Sequence, residues 1–407
     1  METEVLRMEH ITKVYPNGVV ANSDINFSVC RGEIHALSGE NGAGKSTLMK
    51  ILFGEERATD GTIYIDGRKC VISSATDAIL HGIGMVHQHF MLVPSLTVVE
   101  NMILGMEPRK GLKIDRKKAY DSVAEIAKKY NLDVPLDTQV QDLTVGKKQK
   151  VEILKTLLQG AKLLILDEPT AVLTPQETSE LFSELIRLKE DGYTIIFISH
   201  KLNEVRAICD RITIIRHGRT MGVFRVPEIS EEEISRLMVG RDVVLHQEKP
   251  PSVKGERVIE VQNLSVCNAL GQLCLNNVSF NAYRGEIVGV AGIEGNGQTE
   301  LVEALCRNAE YREGKIKLLG TDIRGFSIRQ LRKLRVSHIP EDRMTVGIAP
   351  NLSITENALA DKSDEPRFRT RFGLLRRRNV KQYGAETVKR YQVLCKSPDH
   401  SISGLSG

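Results

Sequence analysis

The feature that most limits the possible folds is a repeat. RGEIHALSGENGAGKST begins at Arg31, and RGEIVGVAGIEGNGQTE begins at Arg284, 253 residues later. The same spacing carries Gly39 to Gly292, Gly61 to Gly314, Gly67 to Gly320 and Gln88 to Glu341 without a gap. Further on, PSLTVVEN from Pro94 is echoed by PNLSITEN from Pro350 after a small insertion. Chance similarity between glycine-rich turns does not hold one register over so many landmarks, so the chain carries two copies of one domain. Its 407 residues suit two cores. Residues 1–240 form the first domain, with the boundary near Gly240. RDVVLHQEKPPSVKGER, with two prolines and mixed charge, reads as a linker over 241–257. Residues 258–407 form a second domain that stops at LSG.

Composition closes off other classes. At 41% hydrophobic and 27% charged residues, the chain matches an ordinary soluble globular protein. A formal net charge of +4 does not support wholesale coating of nucleic acid, so any basic surface is local. No apolar run reaches the length of a bilayer span; LLIL from Leu163 and TIIFIS from Thr194 are strand-sized. The N-terminus, METEVLRMEH, has no apolar secretory core. The expectation is a chain that neither crosses nor leaves the membrane by itself. Seven scattered cysteines, with no C-x-x-C pair, read as reduced thiols rather than a metal site or disulfide frame.

The first copy carries phosphate chemistry. GENGAGKST, from Gly39 to Thr47, fits G-x-x-x-x-G-K-[ST] between a strand-like EIHALS and a helix-compatible STLMKILFG. The pattern arises by accident in roughly one or two of a hundred chains of this length, and the flanks make that rarer. Gly39, Gly42 and Gly44 allow a tight turn whose N–H groups point at phosphate oxygens. Lys45 is expected to reach the β and γ phosphates, and Ser46 to hold Mg²⁺. KLLILDEPT then predicts a buried parallel strand with Asp167 and Glu168 at its carboxyl end, where open α/β sheets bind ligands. Asp167 is a Mg²⁺ ligand candidate, and Glu168 a general base for the attacking water. YTIIFISH predicts another such strand, ending at His200, in reach of a γ-phosphate. His87 and His89 flank Gln88 but lack a third ligand, so they read as structural.

Together these motifs resemble the ATP-binding cassette superfamily over essentially the whole chain. The resemblance implies an α/β fold of two tandem P-loop NTPase domains. Each would have a RecA-like core, an antiparallel β subdomain and an α-helical subdomain, the second incomplete. It places Tyr15 where an aromatic stacks on adenine, and Asn41 and Thr47 among the nucleotide-binding residues of the P-loop. Gln88 falls in the loop between lobes that senses Mg²⁺ and the transmembrane partner. DLTVGKKQK from Asp142 falls at the signature, usually LSGGQ; Thr144 and Val145 depart from it, while Gly146 and Gln149 are kept. Thr174 stands where the family has an aspartate, which puts cross-talk between sites in question. PTAVLTPQE, MVHQHFMLVPSLTVVENMILG and IPEDR at Ile339–Arg343 look like the double-cassette subunits of sugar and nucleoside importers. The second string is closest to the purine-nucleoside branch.

The second copy departs from the first. Its turn reads GIEGNGQTE: Gly292, Gly295 and Gly297 permit the turn and Thr299 offers a hydroxyl, but Gln298 replaces the lysine. Weak or structural nucleotide binding is expected there. The resemblance implies cassettes that sandwich ATP head to tail, each P-loop facing the opposite signature. The second signature starts at Leu405 and breaks off after Gly407, so another ATP-binding chain would have to supply it. ATP and Mg²⁺ are the implied cofactors. Two transmembrane permease subunits are the implied partners, served by an extracytoplasmic solute-binding lipoprotein. The implied location is the cytoplasmic face of the cell membrane. The competing reading is a soluble tandem-cassette factor acting on ribosomes or nucleic acid. Such factors resemble this chain but carry a long helical linker and two intact P-loops. RFRTRFGLLRRRNVK from Arg367, the most basic stretch, reads as a solvated helix rather than a nucleic-acid site.

Overall fold

The computed structural model describes residues 3–240 and 253–405, apart from 17, 89, 112, 131, 133, 268–270 and 293–294. These residues fall into two compact units, one on each side of the expected linker, of which 241–252 lie outside the described residues.

The first unit opens with β1 (Glu4–Val14), β2 (Val20–Cys30), β3 (Ile34–Ser38) and helix α1 (Lys45–Leu52). Next come β4 (Asp60–Ile65), β5 (Arg68–Cys70), α2 (Ala75–Leu80) and β6 (Ile83–Val86). A mainly helical insertion follows: α3 (Val98–Ile103), a hairpin of β7 (Arg109–Lys110) and β8 (Lys113–Ile114), α4 (Arg116–Lys129) and α5 (Val145–Leu158). The unit ends with β9 (Leu163–Asp167), α6 (Pro175–Glu190), β10 (Thr194–Ile198), α7 (Leu202–Ile208), β11 (Arg211–Arg216), β12 (Arg219–Arg225) and α8 (Glu231–Val239).

Its central sheet has the order β12-β11-β3-β10-β9-β6, parallel except for the β11–β12 pair. The apolar runs of β3, β9 and β10 are buried at every position. Alternation explains why: Leu164, Leu166, Ile195 and Phe197 join the core beneath the helices. Leu163, Ile165, Ile196 and Ile198 join a second core under α1 and the antiparallel sheet β2-β1-β4-β5. A strand covered on both faces must be apolar on both.

The second unit holds β13 (Arg257–Cys267), β14 (Leu273–Tyr283), α9 (Gln298–Leu305), β15 (Glu313–Leu318), β16 (Thr321–Asp322), α10 (Ile328–Lys333), α11 (Ile354–Leu359) and α12 (Arg377–Arg390). Its sheet, β14-β13-β15-β16, repeats the antiparallel sheet of the first unit. The echoed motifs make the same contacts. Asn101 bonds both polar groups of Val93 through its amide, and Asn357 does the same at Ala349. Thr97 and Ser353 each close a capping box with the glutamate three residues on.

A parallel core is absent from the described residues of this unit. Ile287–Ala291, the counterpart of β3, joins no sheet, and Ile287 is 87% exposed. In the first unit β3 is held between β10 and β11, whose counterparts at the repeat spacing would lie past Gly407. The second unit thus shows the antiparallel and helical parts of the expected domain without its central sheet.

Candidate functional site

The phosphate turn lies between β3 and α1. Gly44 caps α1 at φ 102, a conformation that L side chains rarely adopt. A Cβ there would meet Ala21 O at 2.4 Å and Asn22 Nδ2 at 2.5 Å. Asn22, fully buried on β2, donates to Gly44 O at 3.1 Å and so ties the antiparallel sheet to the turn. Lys45 is buried, and its Nζ donates to Gly39 O (2.7 Å) and Glu40 O (3.0 Å). Burial pushes the Lys45 ammonium below its ordinary pKa, and the nearby Glu168 and Asp167 oppose that. Asn41, Gly42 and Ser46 are exposed, with Thr47 half-buried beside them. Glycines where a side chain would clash, and a lysine folded over main-chain carbonyls, form a cradle for an anion.

Asp167 ends β9. Burial raises its pKa, partly countered by the Ser46 hydroxyl and the Lys45 ammonium. Glu168 follows at φ 47, a left-handed backbone that is strained for a glutamate. That turn aims its carboxylate between two partners. Gln88 Nε2 donates to Oε2 at 3.2 Å, and His200 Nδ1 lies 3.0 Å from Oε1. Three residues from three sequence motifs therefore meet at one carboxylate, beside the lysine of the phosphate turn.

Two further carboxylates escaped sequence reading. Glu204, on α7 and 5% exposed, accepts from Thr170 Oγ1 at 2.7 and 2.8 Å and from Ser199 Oγ at 3.0 Å. Lys201 Nζ pairs with it at 3.0 Å and also donates to Thr170 O. Thr170 and Ser199 sit within two residues of Glu168 and His200, so Glu204 fixes the spacing of the two loops. Glu152, buried on α5, accepts from Met91 N at 2.7 Å and ties the Gln88 loop to the helical insertion. Short motifs do not reveal either, since Thr170 lies 34 residues from Glu204 and Met91 lies 61 residues from Glu152. His87 pairs with Glu55 at 3.3 Å and lies edge-on to Phe53; His89 is outside the described residues.

Other expected residues lie apart. Tyr15 occupies the β1–β2 turn, with Lys13 Nζ 5.0 Å from its ring centroid. Thr144 caps α5, and Gly146 in the next turn lies against Glu177 of α6. They line a cavity of about 430 Å³ with Thr174 and Lys150. Gln149, also expected at the nucleotide, is buried in that cavity wall, its Nε2 without a partner among the described residues. In the second unit the described end of the turn keeps its form: Gly295 and Gly297 take φ 88 and 95, and Gly297 caps α9. Gln298 folds back so closely that a Cβ on Gly292 would meet its Nε2 at 2.2 Å. Thr299 is exposed. A neutral amide thus holds the position that Lys45 has in the first copy.

A fold and site of this kind are those of a P-loop ATPase. Residues 22–171 and 275–404 match the ABC transporter family, and the chain belongs to it. The nucleoside import ATP-binding protein NupA of Lactococcus lactis is 41% identical over 403 residues, 99% of this chain and 79% of NupA. The glucose import ATP-binding protein TsgD13 of Haloferax volcanii is 43% identical over 391 residues, 89% of this chain and 71% of that protein. The guanosine import ATP-binding protein NupO of Bacillus subtilis is 42% identical over 395 residues, 97% and 77% of the two chains. Among solved structures, CbiO1 from Clostridium perfringens, part of the ABC transporter complex CbiONQ, matches with a TM-score of 0.50 at 29% identity. That match covers 58% of this chain and 94% of CbiO1. Among the described residues no helix is long and apolar enough to cross a membrane.

Proposed function

We propose that the protein is the ATP-hydrolysing subunit of an importer, working at the cytoplasmic face of the membrane on two transmembrane permease subunits. The imported solute is a nucleoside, with a simple sugar as the alternative, delivered to the permease by an extracytoplasmic binding lipoprotein. The names of NupA and NupO support the nucleoside, and that of TsgD13 the sugar. Residues 1–240 form the working cassette, 241–257 the linker and 258–407 a partner cassette.

The observation that carries the reading is the Glu168 carboxylate held between Gln88 and His200 beside Lys45. Glu168 takes the proton of the attacking water, and His200 steadies its carboxylate. Lys45 and the main-chain N–H groups from Gly39 to Thr47 hold the phosphates, and Tyr15 the adenine. The hydroxyl of Ser46, the carboxylate of Asp167 and the amide oxygen of Gln88 form a hard-oxygen set that fits Mg²⁺. The ion neutralises phosphate charge when bound. Thr144 and Gly146 serve the site of a facing cassette. The turn at Gly292–Thr299 binds nucleotide weakly or only structurally.

Titration with a fluorescent ATP analogue tests the first step. Lys45→Ala lowers affinity at least about tenfold, the loss of one buried charge-assisted contact. Unchanged affinity would put the main nucleotide site elsewhere. In the intact transporter, Glu168→Gln traps ATP without turnover, and normal turnover would remove Glu168 as the base.

A further inference from the structure

The basic stretch after Pro366 is a hairpin up to Arg376, and a helix only from Arg377. Thr370 N–H donates to Leu374 O (2.7 Å), Gly373 N–H to Thr370 O (3.0 Å), and Arg376 N–H to Phe368 O (2.7 Å). Gly373, at φ 81, makes the reversal that a helix would not allow. The base is anchored: Phe368 is buried, its ring 5.2 Å from that of Tyr383 on α12, with Arg367 over both.

The tip is the opposite. Phe372 is 90% exposed, Leu374 69% and Leu375 47%, and every residue from Arg371 to Arg378 is exposed. Arg367 and Arg369 are paired with Glu365 and Asp364. Arg371, Arg377 and Arg378 have no acidic partner among the described residues. Two of these start α12, at the positive end of the helix dipole, so the helix gains nothing from them. Three bulky apolar groups exposed on one turn are costly in water, and a free guanidinium stands beside them on that turn with two more at the start of α12.

We propose that this hairpin docks on an anionic phospholipid surface, with Phe372, Leu374 and Leu375 entering the headgroup–acyl boundary and the free arginines meeting phosphodiesters. A nucleic acid strand would use the arginines and stack on Phe372, but it offers nothing to the two leucines. The first unit carries a like element between its third and fourth helices. In β7 and β8, Arg109, Lys110, Lys113 and Ile114 are all exposed. The inference goes beyond ATP hydrolysis and needs neither nucleotide nor permease, so it stands or falls separately from the importer reading.

Flotation of the full chain with phosphatidylglycerol–phosphatidylcholine vesicles tests it. Binding is expected to these vesicles and not to pure phosphatidylcholine. Reversing Arg371, Arg377 and Arg378 to glutamate weakens it at least about a hundredfold, at about fivefold or more per charge. Phe372→Ser with Leu374→Ser weakens it about tenfold or more at constant charge. All five side chains are exposed, so melting temperatures do not fall below the wild-type value, and the new acids at the start of α12 can only raise them. The sequence contains no Trp, so Phe372→Trp introduces a single indole. Its emission shifts to the blue with anionic vesicles and stays in place with neutral vesicles or single-stranded DNA. Failure to float, equal binding by the charge-reversed variant, or a blue shift with DNA alone overturns the proposal.

Discussion

Asp167 shows how a residue can serve the site at the expense of the fold. Burial is the largest cause of its raised pKa, and Ser46 and Lys45 only partly offset it. A carboxyl whose folded pKa exceeds its unfolded value weakens the fold wherever it is ionised, so the nucleotide-free protein is less stable near neutral pH than it would be without that charge. Asp167→Asn is therefore expected to raise the melting temperature of the free protein by roughly 2–4 °C per kcal/mol relieved. Mg²⁺ with ATP then stabilises the wild type but adds little to the variant; a variant that melts lower when free would refute the burial argument. Glu204 gives a second test at this scale. Glu204→Gln leaves Thr170 and Ser199 competing for one acceptor oxygen, so kcat in the intact transporter falls about tenfold, about 1.4 kcal/mol of barrier. ATP affinity stays within about twofold, and a matching loss of affinity would show that Glu204 acts on the fold at large. The residues of the phosphate turn, Asp167, Glu168 and His200 were legible because each lies in a short contiguous motif with a strand before it. Glu204 and Glu152 were not, because the contacts that give them a role, to Thr170 and to Met91, are made only by tertiary structure.

Strands and helices repeat that division. The runs at β3, β9 and β10 were readable because strands covered on both faces leave no choice of side chain. The hairpin at residues 368–376 was not, since its arginines fit a solvated helix equally well and the turn rests on one glycine, Gly373. Within β3 sit two polar exceptions, Ser38 and His35, the latter fully buried with Nδ1 2.9 Å from Glu33 and Nε2 2.7 Å from Thr213 on β11. Burial holds the His35 pKa below its ordinary 6.5, with Glu33 opposing. The folded state then binds this proton less well than the unfolded chain does, so stability is fully present above 6.5 and falls as pH drops below it. Burial raises the Glu33 pKa, but His35, the Cys30 N–H and Arg211 outweigh it, leaving the carboxyl below 4.5. Its contribution is present above 4.5 and is lost at still lower pH. Urea midpoints followed from neutral to acidic pH should thus begin to fall near 6.5 in the wild type. In His35→Gln the fall should be delayed toward 4.5; an unchanged onset would mean another group carries it.

For the whole molecule, the two copies pose one question with two answers. Ile34–Ser38 and its counterpart Ile287–Ala291 are both β-prone and share a register in the repeat. The first is a fully buried strand between β10 and β11, while the second lies outside every sheet with Ile287 and Val290 exposed. Strand state is thus decided by the neighbours available for pairing more than by the residues themselves. That is why the repeat was legible in the sequence and the state of Ile287–Ala291 among the described residues was not. Amide exchange makes the difference measurable. The amides of Ile34–Ser38 open only with the whole first unit and should exchange slowest in the protein, whereas those of Ile287–Ala291 should exchange orders of magnitude faster. Adding ATP with Mg²⁺ should slow exchange from Gly39 to Thr47 and leave Gly297–Thr299 nearly unchanged, because Lys45 has no ammonium counterpart at Gln298. Strong protection at Ile287–Ala291 would contradict the exposed state and point to further polypeptide, of this chain or of a second copy, pairing with that segment in solution. Such protection would scale with protein concentration if the partner were a second copy of the chain, which separates the two explanations in one dilution series.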